Sequence, residues 1–212
     1  MKKIITALLA LSLPVFVQGC TPLALATGAG ATVGVAAAQE GGLKTAATDT
    51  SIRLAITDLW LKHDSKMYAR LSMTVKEGRV LITGKVPNAD MRVDAVRLAW
   101  QADGVRQVIN EISVDKDIGV GAYMTDSWIT SDIKARLMFD KYVQSINYSI
   151  ETVGGVVYLM GVAQDQKELD RVLDYARNTK YVKSVTSYVR LRGETPPGIV
   201  NPATGEIESS IH

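Results

Sequence analysis

Apolar positions along this chain follow one sequence of periods, and they follow it twice. Ile52, Ile56, Leu59 and Trp60 recur at helical spacing, as do Ile129, Ile133 and Leu137 further on. Short polar residues stand just before each run: Asp49 or Thr50, and Asp126, read as N-caps, because a short side-chain oxygen can accept from an unpaired N–H of a first turn. Two strand-like runs follow in each stretch. Lys76-Glu77-Gly78 joins the first pair and Val153-Gly154-Gly155 the second, and the glycines supply the positive φ of a tight hairpin. Asn88 and Asp165 read as caps of a second helix, with Asp165-x-x-Glu168 spaced as a capping box. Val93, Val96 and Leu98 to Trp100 give that helix an apolar face, matched by Leu169, Val172, Leu173 and Ala176. A last strand carries Val105, Ile109 and Val114, matched by Val182, Thr186 and Leu191. Each stretch therefore predicts helix–strand–strand–helix–strand.

The two stretches are copies. Residues 49–114 lie over 126–191 without a gap, with identities at Ile52/Ile129, Ile56/Ile133, Gly78/Gly155, Val80/Val157, Gly84/Gly161, Ala99/Ala176, Val105/Val182 and Val108/Val185. The predicted fold class is α+β: two tandem domains, each αββαβ, with a three-stranded mixed sheet and two helices on one face. A unit of this size hides only about 60% of the surface its unfolded chain exposes. The copies are expected to pack on each other or on a partner.

The ends set the compartment. Lys2 and Lys3 precede an apolar run at 4–17, which is shorter than the about 20 residues of a membrane-spanning helix and reads as a secretory signal. Val17-Gln18-Gly19-Cys20 closes it, with the chain's single cysteine where a bacterial lipobox places the lipidated residue. The sequence thus divides into a signal peptide (1–19), a lipidated N-terminus and flexible Ala/Gly/Thr-rich tether (20–48), a first domain (49–115), a linker (116–125), a second domain (126–192) and a disordered tail (193–212). Position 21 is Thr rather than Asp, which by resemblance to the sorting of enterobacterial lipoproteins implies the outer membrane rather than retention at the inner one.

Composition narrows the function by exclusion. Lys and Arg number 24 against 22 Asp and Glu, and removal of Lys2 and Lys3 with the leader balances the signs. The basic footprint of a nucleic-acid binder is missing. One cysteine and two histidines cannot assemble a Cys/His zinc cluster. No cofactor is expected, no carboxylate pair stands out as an acid/base couple, and His63 reads as a residue closing the first helix.

The αββαβ order, with Gly78 and Gly84 bracketing the second strand, Gly155 and Gly161 doing the same in the second copy, and a closing strand after Gly104-Val105, resembles the BON domain. Behind a lipobox, the pair resembles the dual-BON outer-membrane lipoproteins. That resemblance implies a non-enzymatic protein on the periplasmic face of the outer membrane. It would bind anionic phospholipid (phosphatidylglycerol, cardiolipin), support membrane integrity and gather at division sites. In that family the first helix of the second domain meets the membrane; its tryptophan maps onto Trp128 and a basic residue onto Lys134, while Asp132 stands where a second lysine is usual.

The repeat weighs Trp128 independently. Its counterpart is Ser51, so the fold does not need a large ring there. Trp128 sits one residue before the apolar Ile129, about 100° round the helix, with Tyr123 and Met124 just upstream. Trp128, Ile129, Lys134, Tyr123 and Met124 form the candidate lipid-binding set, with Cys20 for lipidation. The bland readings stay open: Trp128 as filler between the copies or as local core, and Tyr123 and Met124 as linker packing. The alternative function is an adaptor for outer-membrane assembly proteins without direct lipid recognition.

Overall fold

The computed structural model describes residues 39, 41–115, 120–194, 199–200 and 207–208. The leader, Cys20, the tether before residue 39, linker residues 116–119 and the rest of the tail lie outside the described residues. The first copy runs α1 (Gly42–His63), α2 (Ser65–Arg70), β1 (Leu71–Lys76), β2 (Arg79–Val86), α3 (Ala89–Ala99) and β3 (Gln107–Val114). The second runs α4 (Val120–Phe139), a 3-10 turn (Ser145–Asn147), β4 (Tyr148–Val153), β5 (Val156–Ala163), α5 (Gln166–Arg177) and β6 (Ser184–Leu191).

Both sheets have the same mixed topology. The central strand pairs antiparallel with its hairpin partner and parallel with the last strand, in the orders β1-β2-β3 and β4-β5-β6. Strand side chains alternate between faces. Met73, Val75, Val80, Ile82 and Ile112 point to the helices, where Ile52, Ile56 and Trp60 of α1 meet Ala95, Leu98 and Ala99 of α3. Trp60 is fully buried and its Nε1 donates to the Ala95 carbonyl at 3.1 Å, which satisfies the indole. Ile129, Ile133 and Leu137 of α4 and Val172 and Ala176 of α5 repeat the arrangement over Val157 and Leu159.

The other face of each sheet meets its counterpart. Leu81 and Ile109 pack against Tyr158 and Met160, with Val153, Val156 and Tyr188 around them. The molecule is therefore four layers deep, helices outside and two sheets inside. Residues at equivalent positions of the two copies touch: Thr74 Oγ1 donates to Glu151 Oε1 at 3.4 Å, and the Tyr188 hydroxyl bonds Glu111, each pair 77 apart in sequence. A residue that meets its own equivalent lies on a two-fold axis, so the copies form an internal pseudo-dimer. Polar locks close it: Arg190 forms a two-pronged ion pair with Glu77, and Arg79 Nη1 donates to the Tyr188 carbonyl at 2.9 Å.

Several sequence expectations are corrected. The first helices do not start at Asp49/Thr50 and Asp126 but at Gly42 and Val120, so the last residues assigned to the tether (42–48) and the linker (120–125) are helical. Asp49 and Asp126 do not cap their own helices. Each carboxylate accepts two backbone N–H groups of the hairpin turn, Glu77 and Gly78 at 2.9 Å each, and Gly154 and Gly155 at 2.7 and 2.8 Å. Asn88 and Asp165 do cap, accepting from Met91 N and Glu168 N. Glu168 does not turn back to Asp165; it is buried and accepts from Gln144 N and Gln164 N. Val93 is exposed, about 200° round the helix from Ala95, which points into the core. A short helix, α2, capped by the Asp64 carboxylate, and a short tail pair, β7 (Ile199–Val200) with β8 (Ile207–Glu208), were not anticipated. The tail pair forms where β-branched Ile199, Val200 and Ile207 favour extended backbone.

Candidate membrane-binding face

Helix α4 is apolar on two opposite sides. One side holds Ile129, Ile133 and Leu137 against the sheet. At ~100° per residue, Met124, Trp128, Ala135 and Phe139 fall on the opposite side, with Met138 on its margin. Phe139 is 86% exposed, Met124 71%, Met138 69% and Trp128 45%. A helix on a soluble domain ordinarily turns charge, not this stripe, to solvent.

Trp128 is tilted over its neighbour. Its ring meets Tyr181 edge-on, centroids 5.8 Å apart at 72°, and Tyr181 is itself exposed. Lys180 lies over the Tyr181 ring at 4.6 Å. At the far end of the helix Tyr142, also exposed, is flanked by Lys141 at 4.9 Å and Arg171 at 5.1 Å. Aromatic rings with an ammonium or guanidinium alongside suit a membrane interface, where the ring meets acyl chain and the cation meets phosphate.

The loop that carries Tyr142 is braced at both ends. The Asp140 carboxylate accepts from Tyr142 N and from the Tyr175 hydroxyl, at 2.8 Å each, with Arg171 at 3.5 Å. The Tyr142 N–H, then the Tyr175 hydroxyl and Arg171, hold this carboxyl below the usual carboxylate range. Glu168 fixes Gln144 N, and beside it burial, then the Glu168 charge, pushes the Tyr148 phenol up.

Of the expected set, Trp128, Met124 and Tyr123 are exposed on α4, and Tyr123 lies on the flank of the stripe about 100° from Met124. Lys134 is exposed and makes no ion pair among the described residues. Ile129 is wholly buried in the second core, so its assignment to a lipid-contacting surface is corrected: one residue past Trp128, the helix has already turned inward. Arg136 is held by Asp132 at 2.7 Å. Trp128 does not fill the space between the copies; Leu81, Ile109, Tyr158 and Met160 do. Sequence reading missed Met138, Phe139, Tyr142 and Tyr181. Among the described residues no helix is long and apolar enough to cross a membrane, and no three His, Cys, Asp or Glu are grouped to hold a metal.

Comparison with known proteins agrees with the duplication. The BON domain profile matches residues 48–116 and 125–193. The uncharacterized protein in the gshII 5' region of Anaplasma centrale is 46% identical over 145 residues, covering 68% of this chain and 95% of its own. Outer membrane lipoprotein DolP of Haemophilus influenzae is 29% identical over 173 residues, 81% of this chain and 88% of its own. Osmotically-inducible protein Y of Escherichia coli is 30% identical over 146 residues, 68% of this chain and 73% of its own. With both copies matched and the αββαβ topology seen in each, the chain belongs to the BON domain family, as a tandem pair.

Proposed function

We propose that this protein is a lipid-anchored, periplasm-facing outer-membrane protein without enzymatic activity, whose second BON domain binds anionic phospholipid, phosphatidylglycerol or cardiolipin, through α4. The outward stripe of Met124, Trp128, Met138 and Phe139 is the observation that carries this reading. Fully burying one such side chain is worth about 1.5–3 kcal/mol, so partial insertion of several gives a weak but real hold. Lys134, Lys141 and Lys180 near the stripe add about 1 kcal/mol each at an anionic surface. A lipid on Cys20 would raise the local concentration of α4 at the membrane and turn weak contact into residence. Relatedness to an outer membrane lipoprotein supports the compartment; upkeep of membrane integrity, and action at division sites, follow as the role of such a reader.

The adaptor reading for outer-membrane assembly proteins has one observation of its own. Leu43, Leu54 and Leu61 are exposed on α1, on the opposite outer layer from α4. Liposome flotation of the unlipidated chain from residue 21 separates the two. Wild type should float with phosphatidylglycerol or cardiolipin vesicles and not with phosphatidylcholine, and Trp128→Ala should lose most of that binding. Absence of flotation for wild type on either vesicle sinks the lipid reading and leaves the α1 stripe as the surface to pursue.

A further inference from the structure

Beside the outward stripe of α4, a groove of about 770 Å³ runs between the two domains. Its first-domain wall carries Arg70, Ser72 and Thr83; its second-domain wall carries Ser127, Ser131 and Glu151. The volume falls in the range of small-ligand sites, and the charges in it are unevenly satisfied. Asp126 spends both oxygens on Gly154 N and Gly155 N, and Lys85 is paired with Asp115 at 2.8 Å. Thr130 and Thr152 bond each other at 2.8 Å.

Three groups remain. Among the described residues Glu151 is held by the Ser72 and Thr74 hydroxyls, at 3.5 and 3.4 Å, the long limit of hydrogen bonding. Arg70 is exposed and its guanidinium has no partner among the described residues. Thr83 is 1% exposed, and its buried hydroxyl has no hydrogen-bond partner among the described residues. Thr83 pairs across the hairpin with Ser72, so both side chains stand on the sheet face turned to the second domain.

One unpaired guanidinium and one under-satisfied carboxylate on facing walls, with the Ser127 hydroxyl beside them, make the complement of a zwitterion. We propose that this groove is a headgroup site for an aminophospholipid, the phosphodiester held by Arg70 and the Ser127 hydroxyl and the primary ammonium by Glu151. The inference rests on the reading of α4 as a membrane face, because α4 forms one wall of the groove and would lay the acyl chains along its outward stripe. It assigns the first domain a direct part in lipid recognition, with Arg70 and Ser72 supplying what α4 alone lacks.

The test uses the isotope-labelled chain from residue 21 titrated with short-chain phosphatidylethanolamine. Parallel arms use short-chain phosphatidylcholine, whose quaternary nitrogen has no N–H for Glu151; phosphatidylglycerol, which has no ammonium; and diglycine, a zwitterion without phosphate. Phosphatidylethanolamine should shift the amide resonances of Ser72, Thr83 and Ser127, with the other three ligands at least about tenfold weaker there, one charge-assisted contact's worth. Arg70→Gln and Glu151→Gln should each weaken that binding by a similar factor, with both variants still floating on anionic vesicles through α4. Equal shifts with all three lipids, equal shifts with diglycine, or no effect of either substitution overturn the headgroup site. Because flotation is read separately, loss of flotation in wild type would remove the α4 reading without being confused with failure in the groove.

Discussion

Two aspartates show how much one side chain can tie together. Asp49 and Asp126 stand on their helices at equivalent positions, and each carboxylate takes two turn N–H groups from a hairpin 28 and 29 residues away. The turn glycines Gly78 and Gly155 sit at φ 74° and 83°, and their N–H groups, with those of Glu77 and Gly154, find their acceptor in the aspartate. Hydrogen bonds to a charged acceptor are worth about 1.5–3 kcal/mol, and removing the acceptor strands its donors. Asp126→Ala should therefore lower unfolding stability by about 2–4 kcal/mol, read as a shift in urea midpoint at constant slope. A second position is stricter. Gly161, at φ 149°, lies so close to the Asn147 carbonyl that a Cβ would collide with backbone, and Gly84 stands likewise against the Arg70 carbonyl. Gly161→Ala should cost about 2–4 kcal/mol by the same measurement, through backbone strain at a left-handed position. The sequence marks these four glycines clearly, since they recur in both copies. It cannot tell a cap from a brace: a short acid at the start of an apolar run reads the same whether it closes its own helix or reaches sideways to a turn.

At the scale of the element, α4 explains why half of its candidate face was illegible. Periodicity reports contrast between two sides of a helix, and a second apolar stripe opposite the first erases the contrast. Trp128 is reached through the family resemblance and supported by the repeat, which sets it against Ser51; the same comparison puts Phe139 against Lys62. That signal lay in the sequence unused. Tyr181 and Tyr142 come from loops that only folding brings beside the helix. Phe139→Lys should cut flotation on anionic vesicles severalfold while moving stability by less than about 0.5 kcal/mol, as expected of an exposed position. The loop after α4 adds a pH dependence. Folding lowers the Asp140 pKa, first through the Tyr142 N–H, so the native state favours the ionised form. Its contribution is fully present above the ordinary carboxylate range, about 4, and fades as pH falls through the lowered value. Urea titrations of wild type and Asp140→Asn across pH 7 to 3 should show a stability gap that is constant near neutrality and narrows at the acid end. A gap that widens in acid would contradict the sign.

The whole molecule is held by an interface that sequence could announce but not place. Duplication says that two marginal units need cover, since each alone hides only about 60% of its unfolded surface. Alternation marks Leu81, Tyr158 and Met160 as facing away from the helices, but not what they meet. Back-to-back sheets follow only once the structure brings Thr74 to Glu151 and Glu111 to Tyr188. The polar locks are not symmetric: Arg190 and Glu77 correspond to Ser113 and Gly154 in the opposite copies, so the ion pair is made once. That makes it a specific lever on domain coupling. Removing one partner of a largely buried pair leaves the other charge without compensation, at a cost of about 3 kcal/mol, and the cost falls on the interface rather than on either core. Glu77→Gln should therefore separate a single unfolding transition into two, with the core amides of one domain losing protection at lower urea than those of the other. Arg190→Met combined with Glu77→Met, which removes both charges, should recover much of the lost coupling. If Glu77→Gln instead unfolds in one step at wild-type midpoint, the ion pair is incidental, and the apolar contact of Leu81 and Ile109 with Tyr158 and Met160, with the remaining cross-domain hydrogen bonds, joins the domains. Coupling also bears on recognition. α1 and α4 lie on opposite outer layers, and the groove that borders α4 has one wall from each domain, so loosening the sheets should weaken headgroup selectivity before it weakens attachment.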